Sequence, residues 1–181
     1  NTAHSDIKPQ NILISNDLTV YKLCDFGISR PNLPKTEATA ALTIKGSPLY
    51  LAPELREDSD GYVPRVVYNP FKSDIFSLGL SLLHMLSLEQ FHRDKERERE
   101  GAFDWFVKNE VKEDILRRYG KETLDLLRDM LRYDYKERID YLGFYKKVYM
   151  KIRKTLVEKN KDKYHELREK QRGSENLEKK I

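Results

Sequence analysis

Near its start the chain sets a carboxylate, an amine and a carboxamide close together: Asp6, Lys8 and Asn11, within His4-Ser5-Asp6-Ile7-Lys8-Pro9-Gln10-Asn11. The apolar run Ile12-Leu13-Ile14 follows at once. That order suits a loop opening into a strand, with polar side chains aimed at one reacting centre. The chemistry such a set supports is positioning and charge stabilisation. Taken singly, Asp6 would equally suit a turn and Asn11 the first residue of a strand.

A second carboxylate joins them through the element that follows. Ile12-Leu13-Ile14 and Thr19-Val20-Tyr21-Lys22-Leu23 are β-prone, and Ser15-Asn16-Asp17 between them supplies turn chemistry, so residues 11–25 read as a hairpin. The outer ends of an antiparallel pair lie about 5 Å apart. Asn11 and Asp25 therefore become neighbours, the geometry that a shared metal ion requires, and both are hard oxygen ligands.

Positioning these residues falls to the rest of the chain. Residues 28–50 and 56–71 carry turn and loop signals without a clear period. Between Ile75 and Leu86 almost every residue is apolar, which predicts a core helix buried on all sides, with Ser73 or Asp74 as its cap. Leu124, Leu127, Met130 and Leu131 follow helical spacing, as do Tyr141, Phe144, Tyr145, Val148, Tyr149, Ile152 and Leu156. Arg93–Glu100 reads as a solvated charged loop. No internal repeat is present.

Composition narrows the class. Charged residues make up 35% of the 181 residues, yet the net charge is only +4 and basic residues alternate with acidic ones, so a nucleic-acid stripe is not expected. Mean hydropathy is −0.75, with much of the polarity in Glu96–Glu100 and after Lys151. Cys24 is the single cysteine, which excludes an intrachain disulfide and fits a reducing compartment, cytoplasmic or nuclear. No apolar run approaches the ~20 residues of a membrane span. The chain begins at Asn1 rather than Met, so the lack of a targeting signal carries little weight. The sequence holds no signal for oligomeric state.

Six landmarks stand in order: His4-x-Asp6-x-Lys8-x-x-Asn11, Asp25-Phe26-Gly27, Gly46-Ser47, Ala52-Pro53-Glu54, Asp74 opening the apolar helix with Gly79, and Arg138. Together they resemble the C-terminal lobe of a eukaryotic protein kinase of the serine/threonine type. The resemblance implies a mainly α fold with a small β-hairpin over residues 1–155, followed by a charged tail, 156–181, helical or disordered. It implies ATP and a protein as substrates, with Mg²⁺ or Mn²⁺, and no membrane partner.

Roles follow by the same resemblance. Asp6 would accept the hydrogen bond and then the proton of the substrate hydroxyl, and Lys8 would neutralise the transferring γ-phosphate. Asn11 and Asp25 would hold the metal with the nucleotide phosphates. Gly46-Ser47-Pro48-Leu49-Tyr50 would dock residues flanking the acceptor, with Ser47 hydrogen-bonded to Asp6 and Lys8. His4 and Phe26 would pack together in the core, and Gly27 would permit a backbone turn. Glu54 and Arg138 would form a long-range ion pair, and Asp74 would accept backbone N–H groups of the catalytic loop. Cys24 would be a small buried residue or line the adenine pocket.

The chain also departs from the pattern. Ser5 stands where the family usually has an Arg that pairs with a phosphate on the activation loop, so phosphorylation of Thr36, Thr39 or Thr43 is not expected to be the main switch. No G-x-G-x-x-G loop or V-A-I-K lysine precedes the catalytic segment, so the chain reads as a fragment that is inactive alone. The alternative is a truncated kinase-like protein acting as a scaffold.

Overall fold

The computed structural model describes residues 2–31, 38–39, 46–56, 67–88 and 92–152. Contacts divide the chain into two units, Asn1–Tyr141 and Leu142–Ile181. The first is helical in its majority. Its described strands form three antiparallel pairs: β1 (Thr2–Ala3) with β4 (Arg30–Pro31), β2 (Ile12–Ile14) with β3 (Tyr21–Leu23), and β5 (Ala38–Thr39) with β6 (Val67–Tyr68). Only β2–β3 was legible as a hairpin. The other two pairs are two residues long on each side, too short for alternation to show.

β3 begins at Tyr21 rather than Thr19, because Asp17 draws Thr19 into the turn: its carboxylate accepts the Thr19 backbone N–H at 3.2 Å and hydroxyl at 2.8 Å. Ile12 pairs with Leu23. Beyond that pair the Cys24 N–H donates to the Asn11 carbonyl at 3.0 Å, and Asp25 follows. The hairpin leaves Leu13, Ile14, Tyr21 and Leu23 exposed.

Helix α1 spans Pro70–Ser87, starting five residues before Ile75. Asn69 caps it, accepting from the N–H groups of Phe71 at 3.0 Å and Lys72 at 3.2 Å, and Pro70 sits where a missing N–H costs nothing. Ser73 and Asp74 therefore lie inside the helix and not at its cap. Enclosure is also incomplete, since Met85 is 37% exposed. Buried serines on α1 return their hydroxyls to backbone carbonyls, Ser81 to Ser77 at 2.8 Å and Ser77 to Tyr50 at 2.8 Å.

Three helices pack against it: α2 (Lys95–Phe106), α3 (Asn109–Tyr119) and α4 (Lys121–Met130). Phe76, Leu80 and Leu83 of α1 share one core with Phe103 and Phe106 of α2, Ile115 of α3 and Leu127 of α4. Helix α2 occupies the charge run read as a solvated loop. Asp94 caps it through the Arg97 N–H at 3.1 Å, and the extended backbone of Gly101 interrupts it. Glu98, in the middle of the run, is fully buried. Among the described residues no helix is long and apolar enough to cross a membrane. In the second unit the chain is helical through residue 152, where Tyr145 and Tyr149 stack at 5.8 Å. Leu156 and the charged tail lie outside the described residues.

Candidate functional site

Local chemistry shapes the loop that carries the site. Lys8 is extended, and Pro9 opens a single 3-10 turn, Pro9–Asn11, closed by the Asn11 N–H on the Lys8 carbonyl at 3.0 Å. This turn folds Asn11 back over Asp6. The Asn11 amide nitrogen donates to the Asp6 carbonyl at 2.8 Å and to its carboxylate Oδ2 at 3.1 Å. Lys8 Nζ reaches the same Oδ2 at 2.7 Å and Ser47 Oγ at 2.8 Å. From 41 positions away, the Ser47 N–H donates to Asp6 Oδ1 at 3.0 Å. Asp6, Lys8, Asn11 and Ser47 thus form one cluster, with the Asp6 side chain 11% exposed.

Burial pushes the Asp6 carboxyl up, but hydrogen bonds from Lys8 and Ser47, with the charge of Lys8, outweigh it and hold the carboxyl below its ordinary value. A carboxylate with a depressed folded-state pKa stabilises the fold above its unfolded pKa of about 3.9, and that contribution disappears as pH falls through the folded value. The urea stability of wild type relative to Asp6→Asn is therefore expected to shrink on acidification from about pH 6 to about pH 3. A difference that stays constant or widens would contradict the assignment.

Oxygen donors for a cation lie beside this cluster. With the Asn11 amide nitrogen committed to Asp6, no donor among the described residues reaches its Oδ1. Asp25 is exposed, and its Oδ1 receives only a long contact from the Gly27 N–H at 3.4 Å. Two hard oxygens on adjoining strand ends fit a divalent ion such as Mg²⁺. Among the described residues no three His, Cys, Asp or Glu side chains cluster as a metal cage. An ion here would complete its shell with phosphate oxygens and water, as Mg²⁺ commonly does.

His4 and Asp74 fix the loop from below. His4 is buried, and its N–H donates to Asp74 Oδ2 at 2.6 Å while the Ser5 N–H donates to Oδ1 at 2.9 Å. Burial pushes the Asp74 carboxyl up, opposed by those two backbone donors. The His4 ring accepts the Asp6 N–H at Nδ1 and so carries its proton at Nε2, which donates to the Cys24 carbonyl at 2.9 Å. One imidazole thereby joins the Asp6 loop to the segment leading into Asp25. Ser5 and Asp25 both adopt left-handed backbone, φ 68° and 61°, costly for residues with a Cβ. Cys24 is half-buried, its Sγ 3.5 Å from the Asn11 carbonyl.

One expectation needs correction. Phe26 meets the His4 ring edge-on at 4.8 Å, but it is 53% exposed and so lies outside the core. None of the described elements covers its outer side. Gly27 lies in the turn that the Ser29 N–H closes on the Phe26 carbonyl at 3.1 Å, and the left-handed conformation beside it belongs to Asp25. A Cβ at Gly27 would stand 3.3 Å from Asp25 Oδ1, so the glycine keeps space around the carboxylate.

Gly46 has a stricter need. Its φ is 126°, and a Cβ there would lie 2.8 Å from the Ser5 carbonyl oxygen. The glycine lets Ser47 approach Asp6. Gly46→Ala is expected to cost about 1–3 kcal/mol, measured as a lower urea midpoint at unchanged slope.

Ser5 lines a cavity with Arg30, Tyr68 and Asp74, and the Arg30 guanidinium donates to the Tyr68 hydroxyl. Thr36 and Thr43 lie outside the described residues, and Thr39 is described only as backbone of β5.

Glu54 and Arg138 meet in a bidentate pair at 2.8 and 2.9 Å, 84 positions apart. Sequence reasoning missed a second buried ion pair. Glu98 accepts from Arg93 at 2.7 and 2.8 Å and from Arg56 at 2.8 Å. The available signal was the spacing of Glu98, Ala102 and Phe106, four residues apart, which puts the glutamate on the apolar stripe of α2.

A family model described as the protein kinase domain matches residues 1–150. Serine/threonine-protein kinase nekl-2 of Caenorhabditis elegans is 46% identical over 90 residues, 50% of this chain and 22% of that protein. Serine/threonine-protein kinase stk11 of Xenopus laevis is 33% identical over 135 residues, 72% of this chain and 28% of that protein. Serine/threonine-protein kinase Nek8 of Danio rerio is 34% identical over 135 residues, 75% of this chain and 17% of that protein. The matched region is thus under a third of each of these relatives. With the ordered landmarks and the domain match in agreement, the chain belongs to the protein kinase family.

Proposed function

We propose that the full-length protein is a serine/threonine protein kinase, transferring the γ-phosphoryl group of ATP to protein hydroxyls, and that residues 1–155 are its C-terminal lobe. The observation that carries this reading is the cluster in which Ser47, Lys8 and Asn11 all donate to the Asp6 carboxylate. Three donors leave part of a carboxylate's acceptor capacity, roughly four lone-pair sites, for a substrate hydroxyl. Asp6, ionised at neutral pH, orients that hydroxyl and takes its proton. Lys8, already fixed by Asp6 and Ser47, places positive charge where negative charge is shared between acceptor and phosphate.

Asn11 and Asp25 would hold Mg²⁺, or Mn²⁺, together with the nucleotide phosphates. When bound, the ion neutralises phosphate charge and orients the β- and γ-groups. Gly46 and Ser47 would begin the surface that receives the protein substrate. The exposed apolar residues of the β2–β3 hairpin and Phe26 suit a face that a small lobe covers. Relatives named serine/threonine kinases, and Lys8 two positions after Asp6, favour serine and threonine over tyrosine as acceptors. With one cysteine and ATP as co-substrate, the cytoplasm or nucleus is the proposed compartment.

Phosphoamino-acid analysis tests the reading. Full-length protein incubated with Mg²⁺, γ-labelled ATP and a basic protein should yield phosphoserine and phosphothreonine, and EDTA should abolish both. Label on tyrosine alone overturns the specificity. A folded full-length protein that transfers nothing overturns the activity and leaves the scaffold reading in its place.

A further inference from the structure

We propose that Arg93, aimed by Glu98, is a positioning residue for the segment that receives the protein substrate. The inference rests on the phosphoryl-transfer reading above and extends it to residues that neither the landmarks nor the site cluster include.

The geometry begins at Glu98, which is fully buried in α2. Both of its oxygens accept from Arg93, Nε at 2.7 Å and Nη2 at 2.8 Å, which fixes the plane of the guanidinium. The Asp94 N–H, at 3.2 Å, and Arg56, at 2.8 Å, hold the glutamate in turn. The guanidinium also lies over the rings of Phe76 and Phe106, at 5.6 and 5.4 Å. Its remaining nitrogen, Nη1, donates to two backbone carbonyls, Leu49 at 2.7 Å and Leu51 at 2.8 Å. The carbonyl between them, Tyr50, accepts from Ser77.

Three consecutive carbonyls are thus held from the interior by side chains of other elements. The segment they belong to is the one whose Ser47 N–H bonds Asp6, and the Tyr50 N–H closes a turn on the Ser47 carbonyl at 2.9 Å. Arg56, at the far end of the same segment, returns to Glu98. One buried carboxylate therefore sets the position of residues 49–56 relative to Asp6. An ammonium group cannot reproduce this, because its three donors cannot span two carboxylate oxygens and two carbonyls in one plane.

The test uses full-length protein carrying Arg93→Lys, which keeps the charge beside Glu98, and Glu98→Gln, which keeps the volume. Steady-state kinetics with mixed histones and Mg·ATP are run beside hydrogen exchange of residues 50–56 and of α1. Arg93→Lys is expected to raise KM for histone about tenfold, with kcat changed less than about threefold and KM for ATP unchanged. The amides of Tyr50, Leu55 and Arg56 should exchange faster while those of α1 do not. Glu98→Gln should shift the same quantities in the same direction by less, and it decides the matter by the same criteria if Arg93→Lys does not fold. Unchanged histone KM with unchanged protection of residues 50–56 overturns the proposal. So does an equal loss of protection in α1, which marks a purely structural role. If wild type transfers no phosphate, the kinase reading fails, and the exchange arm alone decides whether Arg93 positions the segment.

Discussion

Arg138→Met is expected to destabilise the protein by about 3–5 kcal/mol, the cost of stranding a buried partner charge. The Arg138 side chain is fully buried and that of Glu54 is 7% exposed. All five guanidinium donors are used. Beyond the two bonds to Glu54, they reach the carbonyls of Arg132 at 3.0 Å, Lys72 at 3.0 Å and Tyr133 at 3.1 Å. Methionine keeps the apolar stem over Phe76, whose ring lies 4.8 Å from the guanidinium carbon, so the loss reports charge and hydrogen bonding more than volume.

Once Arg138 is gone, the Ser73 hydroxyl at 2.8 Å is, among the described residues, the remaining side-chain donor to Glu54. Adding Glu54→Met removes the stranded carboxylate. The double variant is therefore expected to recover part of the loss, with the three carbonyls still lacking their donor. Urea unfolding of the four proteins checks both statements. A loss below about 1 kcal/mol for Arg138→Met would show a pair already screened by solvent, as at a surface. The pair also bears on the site, since Glu54 lies on the Pro53–Leu55 turn of the segment that Ser47 joins to Asp6.

The parts of the site legible from sequence are those whose geometry is set over short stretches. Asp6, Lys8 and Asn11 lie within six residues, and Asp25 follows from a hairpin of β-prone strands joined by a polar turn. Helix α1 was visible from its apolar content alone. Its start was not, because Asn69 caps the helix while Ser73, an equally good cap by type, turns inward to Glu54. The Glu98 pair was hidden for another reason. A run of Lys, Arg and Glu normally faces water, and only the fold brings Arg56, 42 positions away, and the carbonyls of Leu49 and Leu51 to it. Phe26 failed in the opposite direction. Its type predicts burial, but whether a phenylalanine is covered depends on the surface presented to it.

Asp6→Asn carries the largest expected effect on activity, a fall in kcat of about 10²–10⁴-fold, the usual worth of a positioned proton acceptor. The substitution preserves shape but not acceptors. Oδ1 now faces the Ser47 N–H, while Oδ2 faces both Lys8 Nζ and the Asn11 amide nitrogen. A carboxamide offers one oxygen and one N–H₂, so one of these sides must set donor against donor. The variant therefore loses the base and loosens the Lys8 anchor together. The initial rate of γ-phosphate transfer from Mg·ATP to a serine- and threonine-containing protein, measured for full-length wild type and Asp6→Asn with matched thermal unfolding, tests the central claim most directly. Steady transfer by wild type that falls at least about a hundredfold in the variant is the result predicted. Equal rates in two folded proteins would contradict it, and would place the chemistry somewhere other than the cluster around Asp6.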